Sequence, residues 1–273
     1  MPSDDKLTLE YYAEQAKLCG DHWSSTMQDE IVRTKEIGFI ESHLCSCVEQ
    51  RSRLSPNNAI NVLDLGCGNG YTTELMAQKF QRAKFWGGDF CDNLLVIAKQ
   101  RGIPNCQFCK CDARKLQFED GFFDFVYTER CLINIRDWEE QKVALSEVAR
   151  VLKPGGVYAM IECFMDGHQN YNKARAELGL SEIPLPSVNL FFDKDATMAE
   201  LGKHFDQGYS ESNFLSSHYF AARVLHAAAE ANVQGQVSDK LVRNSEFVKF
   251  FSAALPPVGN YSPIQGFVWK RKS

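Results

Sequence analysis

Val62-Leu63-Asp64-Leu65-Gly66-Cys67-Gly68-Asn69-Gly70 is an apolar run that ends in three glycines at alternate positions. Glycine there permits a tight turn and lets a ligand approach the backbone with no Cβ in the way. From Tyr71 the pattern reads as a helix, whose free first N–H groups suit polar ligand atoms. Two aspartates close later strand-like runs: Asp89 after Phe85-Trp86-Gly87-Gly88, and Asp112 after Cys109-Lys110-Cys111. Asp89 falls about 20 residues beyond the last glycine, the offset at which a carboxylate accepts hydrogen bonds from ribose hydroxyls. Asp112 is placed to reach an adenine amino group. Either aspartate alone reads equally well as a turn or helix cap, but both, in order after the loop, point to a nucleoside. The spacing is G-x-G-x-G, whereas the dinucleotide fingerprint sets its third glycine one position later, so NAD matches less well.

Groups able to move a proton are fewer. Glu129 and Glu162 end the fourth and fifth strand-like runs, where each can border an acceptor, and they are the first candidates for a general base. His22 precedes an N-terminal helix; its ring suits proton transfer near neutrality, although a surface or capping role is the plainer reading. Arg33, on the polar side of that helix, is positioned to meet a carboxylate of cofactor or substrate. His168, Tyr209, His218 and Tyr219 are weaker candidates. Cys106, Cys109 and Cys111 form C-x2-C-x-C, but zinc sites usually need a second spaced pair. Two of the three fall on a strand expected to be buried, where cysteine acts as a small hydrophobe. No metal is expected.

These residues need a frame. Residues 7–51 read as helical, with Ile37, Ile40, Leu44 and Val48 on one stripe. Ser25 and Gln28 have the form of a capping box, which starts a helix near Met27. Ser55-Pro56-Asn57-Asn58 then breaks the pattern as a turn. Strand-like runs follow at 60–65, 83–88, 106–111, 122–127 and 156–163, with amphipathic segments at 71–80, 91–101 and 137–152 between them. Such alternation implies right-handed crossovers and a doubly wound, mostly parallel α/β sheet, with ligands at the carboxyl ends of its strands. Residues 166–196 read as a loop-rich lid, 215–231 as helix and 262–270 as a last strand; 232–260 gives no clear element.

Composition narrows the function classes. The 273 residues carry 30 basic and 35 acidic side chains, a net charge of −5, which argues against phosphate-backbone binding and hence against nucleic acid as a main partner. No run reaches the ~18 apolar residues of a membrane helix, and Met-Pro-Ser-Asp-Asp-Lys lacks the order of a signal peptide. The ten cysteines therefore read as free thiols of a cytoplasmic protein. Phe247-Val248-Lys249-Phe250-Phe251 reads either as a homodimer contact or as core.

Val62–Gly70, the Asp89 strand end, Cys111-Asp112-Ala113, Phe122–Val126 and Glu147–Gly156 together resemble the class I S-adenosylmethionine-dependent methyltransferases, in particular the small-molecule "type 11" branch. The resemblance covers residues 60–163. It implies a Rossmann-like sheet of seven strands whose last strand is antiparallel. On that reading 1–58 is an N-terminal helical cap and 59–273 the methyltransferase domain. The latter divides into a cofactor core (60–165), a lid and substrate region (166–231) and a C-terminal part with the last strand (232–273). The resemblance also implies S-adenosylmethionine as cofactor. Asp64, Gly66 and Gly68, with Cys67 between them, would hold its amino-acid end; Asp89 its ribose; Phe90 would lie against the adenine, and Asp112 and Ala113 would read its edge. Glu129, beside Arg130, follows the strand where the family places the methionine portion.

Methyl transfer from a sulfonium is an in-line displacement in which positioning and water exclusion supply most of the acceleration. The expected activity is O- or N-methylation of a small acceptor. Ser216–Phe220 and Leu255–Pro263 resemble a bacterial subgroup associated with sugar gene clusters, which suggests a sugar or small carboxylate. Two other classes stay open: a non-catalytic cofactor-binding or scaffold protein of the same fold, and a nucleotide-dependent oxidoreductase.

Overall fold

The computed structural model of the chain describes residues 3–54, 59–234 and 243–273; the turn expected at Ser55-Pro56-Asn57-Asn58 lies outside them. Two helices come first, α1 (Ser3–Cys19) and α2 (Glu30–Leu54). Alternation then runs through β1 (Asn61–Leu65), α3 (Tyr71–Lys79), β2 (Lys84–Asp89), α4 (Asp92–Gln100), β3 (Cys106–Lys110), β4 (Phe123–Glu129), α5 (Trp138–Val151) and β5 (Leu152–Cys163). The C-terminal half adds α6 (Met165–Glu177), α7 (Lys194–His204), β6 (Phe205–Ser212), α8 (Ser216–Phe220), a π turn (Ala221–Leu225), α9 (His226–Gln234), α10 (Glu246–Ala254) and β7 (Ile264–Arg271).

The strands form one sheet in the order β3-β2-β1-β4-β5-β7-β6. β7 alone runs against its neighbours β5 and β6, while the pairings from β3 to β5 are parallel. The chain builds outward from β1 to β3, then returns to β4 on the other side of β1. This reversal leaves a crevice at the carboxyl ends of β1, β2 and β4. Central strands bury nearly every side chain: Val62, Leu63 and Leu65 on β1, and Phe123, Phe125, Val126 and Tyr127 on β4. Each such side chain contributes roughly 1.5–3 kcal/mol on burial, so these strands make a stiff floor beneath the crevice.

Several elements differ from the sequence reading, each for a local reason. The helical stretch at 7–51 is broken after Gly20, which takes a left-handed φ of 55°. α2 then starts at Glu30, not near Met27, because the Asp29 carboxylate accepts the Val32 N–H at 3.3 Å and supplies the cap assigned to Ser25. Leu152-Lys153-Pro154-Gly155-Gly156 is a bulge inside β5, where the register shifts between Phe123 and Phe125. The loop-rich lid begins as a regular helix, α6, and 232–260 contains α10. β6 lies at the sheet edge, where a continuous apolar pattern is not required.

The N-terminal helices do not act together as one cap. α2 packs on β4 and β5, and its Val32, Ile40 and Leu44 belong to the main core. α1 instead rests on α4, where its Leu9, Tyr12 and Ala16 meet Cys91, Leu94 and Ile97 in a small separate cluster. On α10, Val248 points inward while Phe250 is exposed. No helix among the described residues is long and apolar enough to cross a membrane.

Candidate functional site

The glycine loop leaves β1 with its backbone pinned: Gly66 and Cys67 donate their N–H groups to the Gly88 carbonyl at 2.7 and 3.1 Å. Gly66 has a φ of 86°, and a Cβ there would lie 2.5 Å from the Cys131 side chain. Only glycine meets both conditions. Gly68 donates to Asp89 Oδ2 at 2.8 Å, and Asp89 Oδ1 accepts the Cys91 N–H at 2.8 Å. One carboxylate thus fastens the loop to the end of β2 and caps the turn into α4. Burial raises the Asp89 pKa, against the pull of these backbone donors.

The loop forms the floor of a cleft with about 1020 Å³ of free space, its mouth included. Gly66, Cys67, Gly68, Asp89, Phe90, Asp112, Ala113, Glu129 and Arg33 all line it. Nine of the residues expected from sequence are therefore brought together. At one end the Arg114 guanidinium grips Asp112 through Nε (2.8 Å) and Nη2 (2.8 Å). Burial pushes the Asp112 carboxyl up, but these bonds outweigh it and hold the carboxyl below its ordinary value. At the other end Arg33 Nη1 lies 3.4 Å from Glu129 Oε1, and Arg33 Nη2 donates to Thr26 Oγ1 at 2.5 Å. Arg33 Nε is buried with no hydrogen-bond partner. Burial raises the Glu129 pKa against the opposing charge of Arg33.

Three expected residues do not reach the cleft. Asp64 lies beneath the loop, where its carboxylate accepts the Thr73 hydroxyl at 2.5 Å. Burial pushes its pKa up to about 7. Glu162 is fully buried and accepts the N–H groups of Cys131 (3.1 Å), Leu132 (3.0 Å) and Ile133 (3.3 Å). Its carboxylate organises the turn after β4 and has no route to an acceptor. His22 caps a short 3-10 turn (Trp23–Ser25): its Nδ1 meets Ser24 Oγ at 2.8 Å and the side chain is exposed.

Other lining residues were not foreseen. Asp5, Thr8, Leu9 and Tyr12 lie on one face of α1 and roof the cleft. Their i, i+3, i+4, i+7 spacing was a legible signal, obscured because the stripe mixes polar and apolar side chains. Arg130 is the one non-glycine with a positive φ (54°) among the described residues. It reaches back to the buried Glu36 through Nε (2.7 Å) and Nη2 (3.2 Å).

Tyr12, Thr26 and Arg130 also border a second cavity of about 1360 Å³ with its mouth, walled by α6, residues 183–191, α8 and the π turn. Here His168 Nδ1 lies 2.5 Å from Tyr171 Oη, and Nε2 lies 3.2 Å from Asn172 Nδ2. The Asn172 amide is oriented by Ile183, which accepts from Nδ2 (3.0 Å) and donates to Oδ1 (3.0 Å). Nε2 must then accept, so the network assigns the proton of neutral His168 to Nδ1. Burial lowers the His168 pKa, which keeps the ring neutral near pH 7. His218 is buried outside this cavity against Asp29 and Ser252. Tyr219 lines it, and the Tyr209 side chain lies outside the described residues. Cys109 and Cys111 bring their Sγ atoms to 3.7 Å, and all ten cysteines are free. Among the described residues, no group of three or more His, Cys, Asp or Glu could hold a metal ion.

Residues 62–156 match a methyltransferase domain family. The ubiquinone/menaquinone biosynthesis C-methyltransferase UbiE of Desulfotalea psychrophila is 43% identical over 96 residues, 35% of this chain and 38% of that protein. A demethylmenaquinone methyltransferase of Staphylococcus aureus is 36% identical over 106 residues, 38% and 43% of the respective chains. The chain spans less than half the length of these two relatives. The N-methyltransferase NodS from Bradyrhizobium japonicum, solved with S-adenosyl-L-homocysteine, has the same fold at 12% identity, with a TM-score of 0.56 and coverage of 97% and 99%. The family match covers the stretch that carries the glycine loop, Asp89 and Asp112. S-adenosylmethionine, whose demethylated product is bound in that N-methyltransferase structure, fits the cleft of this chain on the cleft's own geometry. Gly66, Cys67 and Gly68 floor it, the carboxylates Asp89 and Asp112 line it beyond the ends of adjacent strands, and Arg33, with an orphaned guanidinium nitrogen, lines the far end.

Proposed function

We propose that the chain methylates a small molecule held in the second cavity, using S-adenosylmethionine held in the cleft. The carrying observation is that the two spaces share one wall, formed by Tyr12, Thr26 and Arg130. When bound, the cofactor supplies an electrophilic methyl group on a sulfonium. Asp89 would accept the ribose hydroxyls, since each carboxylate oxygen keeps lone-pair capacity beyond its backbone bond. Phe90 would lie against the base, with Asp112 and the Ala113 N–H at its edge. Arg33 and Glu129 match the carboxylate and ammonium of the amino-acid end.

The acceptor nucleophile is an oxygen or nitrogen. In place of Glu162 and His22, Tyr171 is the group suited to orient it: in the second cavity its Oη accepts from His168 Nδ1, which leaves the phenol proton to donate to the acceptor. Glu129 is occupied by Arg33 at the cofactor end. Residues 166–231 supply much of the substrate wall, and 60–165 the cofactor core.

Calorimetric titration with S-adenosylhomocysteine tests the cofactor assignment. Micromolar binding is expected, with a loss of at least 100-fold in Asp89→Ala. No binding by a folded protein removes the assignment. Tight binding without transfer of labelled methyl groups to hydroxylated or amine acceptors would instead make the chain a cofactor-binding scaffold.

A further inference from the structure

Arg223 stands on the π turn in the wall of the second cavity, 6% exposed. Its hydrogen bonding is incomplete. Nη2 lies 3.5 Å from Asp29 Oδ2, an oxygen that His218 Nε2 already meets at 2.9 Å. Nη1 has no hydrogen-bond partner. The guanidinium carbon sits 5.1 Å from the centroid of the Tyr219 ring, which accounts for one face of the group but not for its N–H donors. A buried cation with an unsatisfied arm is costly unless a ligand completes it.

The rest of the wall points the same way. Arg130, Arg223 and Arg243 line the cavity, and no aspartate or glutamate does so among the described residues. Arg130 is neutralised from behind by Glu36, and the half-buried Arg243 donates to Gln28 Oε1 at 3.4 Å, whereas Arg223 is a buried cation of this wall with an unpartnered arm. One part of the remaining lining is apolar: the Tyr171 and Tyr219 rings stack at 6.4 Å and 26°, and Phe191 and Pro184 line the same cavity. We propose that the acceptor carries a carboxylate on a flat apolar body, and that Arg223 receives the carboxylate. A guanidinium presents paired N–H donors in the geometry of a carboxylate, and one free arm suits a single monoanion. This inference rests on the second cavity being the acceptor site.

The test uses the full chain saturated with S-adenosylhomocysteine. Benzoate and 2-naphthoate are compared with benzamide and 2-naphthamide at constant ionic strength, by titration and by thermal midpoint. The acids are expected to bind at least 10-fold more tightly than the amides. That preference should vanish in Arg223→Gln and survive in part in Arg223→Lys, while S-adenosylhomocysteine binds both variants within 3-fold of wild type. Equal binding of acid and amide by the wild-type protein overturns the inference, even if Arg223→Gln fails to fold. So does an acid preference that persists in Arg223→Gln. Failure of S-adenosylhomocysteine itself to bind overturns the methyltransferase reading, which is a separate result.

Discussion

Arg114 and Asp5 form a two-pronged ion pair, Nη1 to Oδ1 at 3.2 Å and Nη2 to Oδ2 at 2.9 Å, which ties α1 to the loop after β3. The same guanidinium also holds Asp112 and Glu140, so one side chain links the rim of the cleft to its roof. Asp5→Asn should loosen α1 while leaving the sheet intact. A partly exposed pair is worth about 1 kcal/mol, so the dissociation constant for S-adenosylhomocysteine should rise about 5-fold. The difference should shrink in 0.5 M salt, as screening requires. Unchanged affinity at low salt would mean that the latch does not govern the cleft.

Gly66→Ala meets two obstacles at once, a left-handed φ and the Cys131 side chain at 2.5 Å. The backbone cost alone is roughly 1–2 kcal/mol, and the collision adds to it. Urea unfolding should show a loss of at least ~2 kcal/mol, and the variant should bind S-adenosylhomocysteine poorly. Gly102 also has a positive φ but has open space around it, so Gly102→Ala should lose only the backbone share.

Glu36 is wholly buried against Arg130. Arg130→Met would strand that carboxylate, a change that typically costs about 3–5 kcal/mol. Glu36→Gln combined with Arg130→Met should recover much of the loss. Additive losses in the double variant would refute the coupling.

Asp64 fixes a pH dependence. Its folded pKa of about 7 lies above the unfolded value of 3.8, so across that interval the folded chain holds a proton that the unfolded chain has released. The unfolded state binds fewer protons, and the contribution of Asp64 to stability falls as pH rises from about 4 to 7. Glu162, also pushed up to about 7 by burial, acts in the same direction. Asp64→Asn should therefore flatten the decline between pH 5 and pH 7 in denaturation midpoints. Parallel wild-type and mutant profiles would rule this out.

The parts of this site that were legible in the sequence are those set by backbone geometry. Gly66, Gly68, Asp89 and Asp112 sit where strands end, and strand periodicity locates strand ends to within a residue or two. Glu162 shows the limit: its place at a strand end was readable, but its side chain turns into the core to collect three N–H groups. A single sequence does not carry that orientation. The second cavity was harder still, because His168, Tyr171 and Arg223 come from α6 and the π turn, far apart in the chain. Only tertiary packing brings them together. β6 was missed because an edge strand is freed from the apolar alternation by which strands are recognised.

α1 belongs to a small apolar cluster of its own and touches both spaces, with Leu9 and Tyr12 over the cleft and Tyr11, Tyr12 and Gln15 beside the second cavity. Its detachment therefore exposes little of the main core, and amide hydrogens along residues 8–19 should exchange through openings far cheaper than global unfolding. Each ligand that presses on this helix must meet the entropy of seating it, and the ligand that binds second finds it already seated. Two molecules bound in different spaces would thus raise each other's affinity through the order of one helix.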